Sequence, residues 1–559
     1  MKERSASQEH FIDLCRLLGE PTPAEADPSG EAYCFERGAR KDTGGDGWAD
    51  VWKRHHFAWE YKAKHANLDA AFGQLRLYAL ALENPPLLVV SDMLRFRIRT
   101  NWTNSVSKTY TIELDDLADA AGREKLKWAF SDPERLRPGE TRQSLTEQAA
   151  ESFATVAQAL RQRGHDPQAV ARFVNRLVFC MFADDVDLLP GHMFTRMLEQ
   201  ARRTPAHFVD LAGDLFQVMA SGGRIGFETV DWFNGGLFDD ATALPLEKAD
   251  IDTVLAASNL DWSEIDPSIL GTLFERGLDP DKRAQLGAHY TDRDKIMLIV
   301  EPVVIRPWLS EWKAEKARIA AELERADSAK SRGARTKRRN EAKRQYREFL
   351  NRLRAFTVLD PACGSGNFLY LALQALKDLE HRVQVEAEVL GFERAFPEIG
   401  PANVKGIEIN PYAAELARVS VWIGEIQWMR RNGFSEARDP ILKPLDTIEC
   451  RDAILTPDSI EPDWLQADVV IGNPPFLGNR KLRRELGSEY VDSLQSAYAG
   501  SVRGIPDLVC YWFAKAGRLA QAKQIVRAGL VATNSIRGGT NRRVLDRILE
   551  DSTIFDAWD

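Results

Sequence analysis

The segment 356–376 carries residues whose types and order suit the binding of a small cofactor. It reads FTVLDPACGSGNFLYLALQAL, which predicts an apolar strand ending at Asp360 and a loop with Gly364 and Gly366 leading into a helix near Asn367. Small residues at the end of a parallel strand let a nucleotide-type cofactor approach the backbone, and the carboxylate can hold one of its polar groups. The loop lacks both common glycine patterns of phosphate-binding loops, so a phosphate cradle is not favoured.

An acid ends a second apolar strand in the same manner. NVKGIEINPYAAELARVSVWI, residues 403–423, predicts a strand that ends at Glu408 and is followed by a helix. A carboxylate at the end of the second strand typically accepts hydrogen bonds from ribose hydroxyls. Alone, such a glutamate is often only a helix cap. Behind Asp360, it indicates a cofactor that contains a nucleoside.

A third strand end offers hydrogen-bond acceptors to a flat base. ADVVIGNPPFLGN predicts a buried strand that ends in Asn473, Pro474, Pro475 and Phe476. The prolines stiffen the turn and have no amide donors, so carbonyl oxygens and the Asn473 side chain can face one small donor group. An exocyclic amine on a base pulled out of a duplex has two N–H groups for such acceptors, and an aromatic ring can stack on the base. An ordinary proline turn after a strand is the alternative.

The N-terminal part carries a second chemically competent set, in GWADVWKRHHFAWEYKAKH. Asp50, Glu60 and Lys62 have the D…E-x-K spacing that places two carboxylates and an amine at one edge of adjacent strands. The carboxylates of Asp50 and Glu60 can bind Mg²⁺, which activates water for phosphodiester hydrolysis, and Lys62 can orient that water. Gln74 and Tyr78, four residues apart on a predicted helix, share a face and can brace this site or contact DNA.

Other interpretations of this region stay open. Glu36 offers a further acid from a predicted preceding helix. Glu-x-Lys is common by chance, and a nuclease fold that has lost its activity would carry the same pattern. His55, His56 and His65 flank a predicted strand without the Cys/His spacing of a zinc site, so surface histidines are favoured over a metal cluster.

These motifs require two sheets with a helical segment between them. Residues 1–143 predict a mixed α/β unit, residues 144–285 predict helices, and residues 286–559 alternate strands and helices, as a parallel sheet covered on both faces requires. The highly charged stretch 313–353 predicts two helices joined near residues 331–333. A solvated helical hairpin is the favoured interpretation of this insertion, and an arm that contacts phosphates is the alternative.

Composition bounds the class of protein. The chain has 559 residues, 44% of them hydrophobic, which suggests several domains with buried cores. No apolar run approaches the roughly 20 residues that span a bilayer, and the first residues lack the apolar stretch of a secretory signal. Six scattered cysteines without a CxxC pair favour a reduced, cytoplasmic protein. Because no long apolar run is present, no membrane partner is expected. The net charge of −9 does not exclude nucleic acid, because phosphate contacts depend on where basic residues cluster, notably at 332–347.

The motifs resemble those of a known family. D-P-A-C-G-S-G, I-E-I-N-P and N-P-P-F, in this order, resemble the motifs of amino-methyltransferases that modify adenine in DNA, and G-A-H-Y-T upstream resembles the gamma-class motif that wraps the methionine end of the cofactor. With FAWEYK, WFNGGLFDD and DPSILGTLFERGL, the resemblance extends over essentially the whole chain, to the MmeI-like (Type IIL) restriction-modification family. It implies an N-terminal PD-(D/E)xK-type endonuclease domain, a helical spacer and a Rossmann-like class I methyltransferase domain.

The resemblance also implies an activity and its residues. The expected activity is methylation of adenine at its exocyclic amine with S-adenosylmethionine, coupled to Mg²⁺-dependent cleavage of double-stranded DNA in restriction-modification defence. The target base is expected at the four residues of N-P-P-F. The cofactor is expected at Tyr290, Thr291, Asp360, Ala362, Gly364, Gly366, Glu408 and Asp452. Glu408 would bind the ribose, and Asp452 the adenine of the cofactor.

The chain differs from that family in length. Family members continue for several hundred residues more, whereas this chain stops soon after GLVATNSI (529–536), a predicted late strand. The last strands of the catalytic sheet and all target recognition are therefore expected to be missing. Three explanations are open: the sequence is a fragment, recognition comes from another polypeptide, or the product is inactive. Three alternatives to a bifunctional enzyme remain: a methyltransferase whose N-terminal fold is a DNA clamp, a non-catalytic DNA-binding or defence-complex subunit, and a methyltransferase of a non-DNA amine.

Overall fold

The fold consists of two large sheets with a helical region between them in the sequence. The computed structural model describes residues 2–37, 49–64, 68–79, 82–102, 105, 107–139, 142–233, 237–269, 271, 293–434 and 445–558. Tyr290, Thr291 and His65, for which the sequence makes predictions, lie outside the described residues. Within the described residues, no helix combines the length and apolar character needed to cross a bilayer.

The N-terminal sheet has six strands within the described residues, in the spatial order of the sequence: β1 Tyr33–Arg37, β2 Ala49–Lys53, β3 Phe57–Tyr61, β4 Leu87–Ser91, β5 Arg95–Thr100 and β6 Thr109–Glu113. Strands β3 and β4 pair in parallel and the other neighbours pair antiparallel. Its helices are α1 Lys2–Leu18, α2 Pro23–Ala26, α3 Leu68–Leu77 and α4 Ala120–Ser131. The core of one face is aromatic, with the Phe11 ring 5.3 Å from that of Trp59 and 5.4 Å from that of Phe130.

The prediction that Glu36 belongs to a helix is wrong. Glu36 lies on β1, which pairs antiparallel with β2, so that Phe35 faces Val51. The aromatic residues Tyr33 and Phe35 alternate with smaller or polar neighbours, and cross-strand packing of such rings favours a strand over a helix. The strands predicted around Asp50 and Glu60, and the helix that follows them, are confirmed.

The middle region is mainly helical. Its helices are α5 Arg142–Gln162, α6 Pro167–Asp185, α7 Met193–Arg203, α8 Phe208–Ser221 and α9 Lys248–Ala257. The purely helical prediction is wrong at one place, where Gly223–Ile225 (β7) and Glu228–Val230 (β8) form an antiparallel hairpin. Gly226 in its turn has a φ of 60°, a left-handed conformation that glycine adopts without the steric penalty of a Cβ.

The C-terminal sheet is parallel throughout its described part. Its strands are β9 Val358–Asp360, β10 Val404–Glu408, β11 Ile448–Cys450, β12 Val469–Gly472 and β13 Arg527–Leu530, in the spatial order β11-β10-β9-β12-β13. The order reverses beside β9, and open α/β sheets bind ligands at such a switch point, beyond the carboxyl ends of the strands. The fold class expected from the sequence, mixed α/β with a helical spacer and a Rossmann-like sheet, is confirmed.

Helices cover both faces of this sheet. They are α10 Arg293–Val300, α11 Arg306–Asp327, α12 Arg332–Ala355, α13 Asn367–Val389, α14 Pro411–Arg431, α15 Asn479–Leu486, α16 Ser488–Ala497, α17 Val509–Gln521 and α18 Gly539–Ile548. A short π-helical stretch, Glu301–Ile305, joins α10 to α11. One face packs against α10 to α14 and the other against α15 to α17. The two charged helices predicted at 313–353 are confirmed as the long hairpin of α11 and α12.

The predicted late strand at 529–536 begins and ends earlier than expected. The strand is Arg527–Leu530, and the residues from Asn534 to Arg537 form a short 3₁₀ helix. Ser535 in this helix donates a hydrogen bond from its hydroxyl to Asp507 at 2.6 Å. The two residues lie 28 positions apart, so the contact that holds this segment is long-range.

Helix α14 joins the spacer to the C-terminal sheet. Its Tyr412 hydroxyl accepts a hydrogen bond from Asn175 Nδ2 at 2.6 Å and donates one to the carbonyl of Ala171 at 3.2 Å. At its other end, Gln427 Nε2 donates to the carbonyl of Ile265 at 2.7 Å. Residues of α14 belong to the apolar core of the spacer as well as to that of the sheet, so this helix is buried from both sides.

The buried hydroxyl of Tyr412 should contribute measurably to the stability of this junction. Tyr412→Phe leaves the amide of Asn175 and the carbonyl of Ala171 without that partner, and an unsatisfied buried polar group costs about 1–3 kcal/mol. We expect a loss of that size in urea unfolding followed by tryptophan fluorescence. Tyr511→Phe is the matched control, because the Tyr511 hydroxyl is buried without a hydrogen-bond partner among the described residues. Equal losses in the two variants would contradict the assignment.

Candidate active sites

Four predicted residues stand in a row at the carboxyl edge of the C-terminal sheet. Leu359 of β9 pairs with Val470 of β12, so Asn473 follows the end of β12 close to Asp360. Gly406 of β10 pairs with Asp360, and Glu408 pairs with Cys450 of β11. The resulting order across the edge is Asp452, Glu408, Asp360, Asn473. With strands about 4.8 Å apart, the row spans roughly 14 Å.

Asp360 is the most deeply buried carboxylate of the row, with 1% of its surface exposed. Its Oδ1 accepts a hydrogen bond from the amide of Ala362 at 3.0 Å, whereas its Oδ2 is buried and has no partner among the described residues. Burial, and to a smaller degree the nearby charge of Glu408, raises the pKa of Asp360 to about 8. An unpartnered buried carboxyl oxygen calls for a donor that the described chain does not provide.

Gly472, the last residue of β12, makes room for this carboxyl group. Its φ is +153°, and a Cβ added there would overlap Oδ1 of Asp360. Gly366 has a similar role at the start of α13, where its φ is +90° and an added Cβ would lie 2.8 Å from the Cα of Ala417. The two glycines therefore permit the close approach of β9, β12 and α14 around the loop after Asp360.

Glu408, at the end of β10, holds the glycine loop through a backbone hydrogen bond. Its Oε2 accepts a hydrogen bond from the amide of Gly364 at 2.9 Å, and its Oε1 accepts one from the amide of Asn410 at 2.9 Å. Burial raises the pKa of Glu408 despite these backbone donors. Gly364, with a φ of +54°, has open space around its Cα, so the predicted loop presents backbone rather than side chain at this point.

Asp452 lies at the far end of the row. Its Oδ1 accepts hydrogen bonds from the amides of Ile454 and Leu455, at 2.8 and 3.2 Å. Its Oδ2 accepts one from the hydroxyl of Tyr490 at 2.7 Å, and burial together with the charge of Asp452 raises the pKa of Tyr490. Asp452 is thus held in place by its own turn and by Tyr490.

The segment after β12 is half-buried at its start and is held by hydrogen bonds at its C-terminal end. Asn473, Pro475 and Phe476 are half-buried, and Pro474 is buried. Further on, the carbonyl of Leu477 accepts a hydrogen bond from the amide of Leu508 at 2.9 Å. The amide of Asn479 donates to Asp507 Oδ1 at 3.0 Å. The half-buried side chains stand at the edge where a flat ligand could reach them.

The N-terminal candidate site lies on β2 and β3. Val51 faces Trp59 across this antiparallel pair, and the same register sets Asp50 opposite Glu60. Asp50 Oδ2 accepts a hydrogen bond from the amide of Tyr61 at 2.6 Å, and Lys62 Nζ lies 2.9 Å from Glu60 Oε1. The structure therefore brings together the two carboxylates and the amine predicted from their spacing.

A small cleft beside this site contains Glu36 as well as Asp50 and Tyr61. Gln8 Nε2 donates a hydrogen bond to Glu36 Oε1 at 3.4 Å. The backbone of Glu36 has a φ of 55°, an uncommon conformation for a residue with a side chain. Within the described ranges, no group of three or more His, Cys, Asp or Glu side chains is arranged to hold a metal.

The predicted support residues lie on or just after α3. Gln74 is on the helix. Tyr78 lies one residue beyond the end of α3 and contacts the C-terminal domain, with the guanidinium of Arg394 5.1 Å from its ring centre. Burial raises the pKa of Tyr78. Its position fits a contact between domains.

Two family models match the chain. The MmeI DNA-methyltransferase domain matches residues 336–556, and the MmeI helicase spacer domain matches residues 168–238. A solved structure of the Type IIL restriction-modification enzyme MmeI in complex with DNA is similar in fold, with a TM-score of 0.57 and 26% identity over 72% of this chain and 52% of that chain. The chain belongs to the MmeI-like restriction-modification family. The family predicted from the motifs is thereby confirmed.

Curated relatives of this MmeI-like chain have names of the same kind. DNA methyltransferase A of Bacillus subtilis (strain 168) is 27% identical over 415 residues, which are 71% of this chain and 44% of that protein. A protein of Methanocaldococcus jannaschii named as a type II restriction enzyme and methyltransferase is 23% identical over 297 residues, 45% of this chain and 24% of that protein. The chain spans less than half the length of these two relatives.

Several supporting residues of this MmeI-like chain were not predicted from its sequence. Gly472 stands directly before N-P-P-F, and a glycine at the end of a buried strand could have signalled a close approach. Tyr490 and Asp507 act from segments that lie 38 and 28 residues from their partners. No local pattern indicates such long-range pairs.

The raised pKa of Asp360 predicts a pH-dependent stability. Its folded-state pKa of about 8 lies above the ordinary value near 4, so the folded chain keeps a proton that the unfolded chain has lost between these pH values. The free energy of unfolding should therefore fall as pH rises through this window, and this loss of stability is complete above it. Asp360→Asn does not titrate there. Its free energy of unfolding relative to the unmodified chain should rise from pH 5 to 8, by up to about 1.4 kcal/mol for each pH unit.

Asp468→Asn provides the control for urea titrations at each pH. Asp468 Oδ2 accepts hydrogen bonds from the amide and the hydroxyl of Thr357, at 2.7 and 3.0 Å, so its replacement should destabilise the chain. Parallel stability curves for Asp360→Asn and the unmodified chain would show that the carboxyl group of Asp360 is not strained by burial.

Proposed function

We propose that the C-terminal domain transfers a methyl group from S-adenosylmethionine to the exocyclic amine of an adenine in duplex DNA. The observation that carries the proposal is the unpartnered buried Oδ2 of Asp360, placed between the glycine loop and N-P-P-F. The family membership supports a DNA methyltransferase. The choice of adenine and of this cofactor rests on the residues at the sheet edge.

The residues at the edge fit a nucleoside-containing cofactor. The row from Asp452 to Asp360 offers three carboxylates at successive strand ends, and Gly364 presents backbone with open space around it in the loop after Asp360. In this proposal Asp360 Oδ2 accepts a hydrogen bond from a polar group of the cofactor and Glu408 lies beside its ribose. Asp452 faces its base. The cofactor would supply a methyl group on a sulfonium, which is already a strong electrophile.

The N-P-P-F segment orients the acceptor amine in this proposal. The side-chain oxygen of Asn473 and the carbonyl of Pro474 accept its two N–H groups, which directs the nitrogen lone pair out of the ring plane. Phe476 stacks on the face of the extruded base. Fixed carbonyl and amide dipoles stabilise the positive charge that develops on the nitrogen. A cytosine-ring methylase would need Pro-Cys at this place, where the chain has Pro474-Pro475.

We further propose that the N-terminal domain cleaves DNA with Mg²⁺. Asp50 and Glu60 provide hard oxygen ligands on adjacent strands, which is the donor chemistry that Mg²⁺ prefers, and Lys62 lies beside them. Two carboxylates suffice for a site that water and a phosphate complete. Bound there, Mg²⁺ would supply an acidified water, and Lys62 would orient that water or offset the charge of the phosphate.

Substitutions of two neighbours in the row, Asn473 and Asp360, should separate cofactor binding from methyl transfer. Asn473→Ala should keep calorimetric affinity for S-adenosylmethionine within about threefold but reduce methyl transfer to unmethylated DNA by roughly 100-fold or more, because Asn473 faces the base. Asp360→Ala should weaken cofactor binding roughly 10- to 100-fold, as expected for the loss of a charged hydrogen bond. Asn432→Ala, at the opposite edge of the sheet, should change neither. Normal cofactor affinity of Asp360→Ala would refute the cofactor assignment.

The two chemistries should also separate by metal dependence. The double variant Asp50→Ala, Lys62→Ala should stop cleavage and leave methylation intact, because phosphodiester hydrolysis needs a metal-bound water and methyl transfer does not. A Mg²⁺ chelator should have the same effect on the unmodified chain. Lys64→Ala, an exposed neighbour, is the control. If the double variant still cuts in Mg²⁺, or if it loses methylation while folded, the two-site proposal is wrong; a chain that methylates but never cuts would favour a DNA clamp.

A further inference from the structure

The tip of the hairpin formed by α11 and α12 carries an unusual run of charge. Residues 330–340 are all exposed and contain six basic residues and no acid. The basic residues are Lys330, Arg332, Arg335, Lys337, Arg338 and Arg339. Charges of one sign repel one another, so such a surface is stabilised by a polyanion rather than by its own neighbours.

Elsewhere on the hairpin, most arginines pair with nearby acids. Arg318 lies 3.2 Å from Glu315, Arg325 lies 2.6 Å from Glu322, and Arg344 pairs with Glu341 and Glu348 at 2.6 and 2.7 Å. This is the pattern of a solvated helix face.

The tip departs from that pattern. Arg338 and Arg339 reach back to Glu322 and Asp327. In the described part of the chain, Lys330, Arg332, Arg335 and Lys337 have no acid within ion-pair distance. The cations without an acidic partner are therefore densest at the tip of the hairpin.

The base of the hairpin is held by ring packing and hydrogen bonds. Trp308 packs its ring 5.5 Å from Phe349 and 5.4 Å from Phe356, which lies two residues before β9. Trp312 Nε1 and Lys316 Nζ donate to Glu386 at 2.8 and 3.0 Å.

The hairpin points away from the carboxyl edge of the sheet. Glu386 lies near the end of α13, which begins at the carboxyl edge and runs to the amino edge. From Lys316 to Asp327, α11 continues for about 16 Å at 1.5 Å per residue. The basic tip therefore projects from the edge opposite the candidate methyl-transfer site.

The N-terminal domain contacts the same edge. The Tyr346 ring of α12 stacks on Phe392 at 4.9 Å, and two residues later Arg394 lies over Tyr78, beside the nuclease-like sheet. Gly433, just after α14, also approaches Gly73 of α3 closely. The hairpin and the N-terminal domain thus flank one short segment.

We propose that the hairpin tip binds the phosphate backbone of duplex DNA on the side of the N-terminal domain. Exposed Lys and Arg side chains without acidic partners match a duplex, which carries one negative charge per about 1.7 Å of its axis. The proposal rests on the proposed function, since it assumes that duplex DNA is the substrate. The hairpin holds DNA for cleavage and makes no contact with the target base.

A matched pair of triple variants of the 559-residue chain tests this. The tip variant is Arg332→Gln, Arg335→Gln, Lys337→Gln, and the control is Arg318→Gln, Arg325→Gln, Arg344→Gln, which removes the same charge from paired positions of the same hairpin. The probe is a fluorescein-labelled 40-base-pair duplex, titrated by anisotropy at several NaCl concentrations. If each tip residue meets a phosphate, the slope of log affinity against log salt should fall by about 0.9 per residue.

We expect the tip variant to lose up to about 2.7 in that slope and roughly 10-fold in affinity at low salt, with the control within twofold of the unmodified chain. Calorimetric affinity for S-adenosylmethionine should be unchanged in both, which shows that each is folded. Equal slopes for the tip variant and the unmodified chain would overturn the hairpin proposal and leave the proposed function standing. Absence of duplex binding by the unmodified chain would overturn both.

Discussion

The buried carboxyl group of Asp360 is the constraint around which the C-terminal domain is arranged. Its Oδ1 is satisfied by the turn that follows, but Oδ2 is enclosed without a described donor. A group of this kind costs stability in the ligand-free chain, and it persists only where the surrounding structure fixes it. Gly472 leaves the space that the carboxyl group of Asp360 occupies. Glu408 accepts a hydrogen bond from the glycine loop beside Asp360, and the parallel register places Asn473 nearby. A ligand that donates to Oδ2 would relieve the cost, so strain in the free chain and affinity for a cofactor have the same origin.

A second constraint is that α14 is buried from two sides. One face covers the sheet near Gly366, and the other enters the core of the spacer through Tyr412 and Gln427. At the amino edge, Arg394 and Gly433 contact the N-terminal domain. The N-terminal domain and the basic hairpin therefore lie at the amino edge, opposite the carboxyl edge where methyl transfer is proposed.

The strand ends could be predicted from the sequence because each has a local signal. Apolar runs stop at Asp360, Glu408 and Asn473, and glycine or proline follows. What depends on distant pairing could not be predicted. Glu36 was expected on a helix, but β1 gains its partner in β2, more than ten residues away.

The same holds for the supporting contacts and for the corrected elements. Asp452 is predicted to bind the adenine of the cofactor, and its contact with Tyr490, 38 residues further on, had no signal in the sequence. The hairpin of β7 and β8 and the early end of β13 were missed for a related reason: glycine turns and side-chain hydrogen bonds overrode the apolar pattern.

Calorimetric titration of S-adenosylmethionine at pH 7, in buffers of different ionisation enthalpy, tests most directly whether Asp360 contacts the cofactor. With a pKa of about 8 in the free chain, Asp360 should ionise on binding and release close to one proton, which Asp360→Asn cannot do. Binding heats that do not depend on the buffer, or a proton release equal in the two proteins, would contradict a role of Asp360 in holding the cofactor.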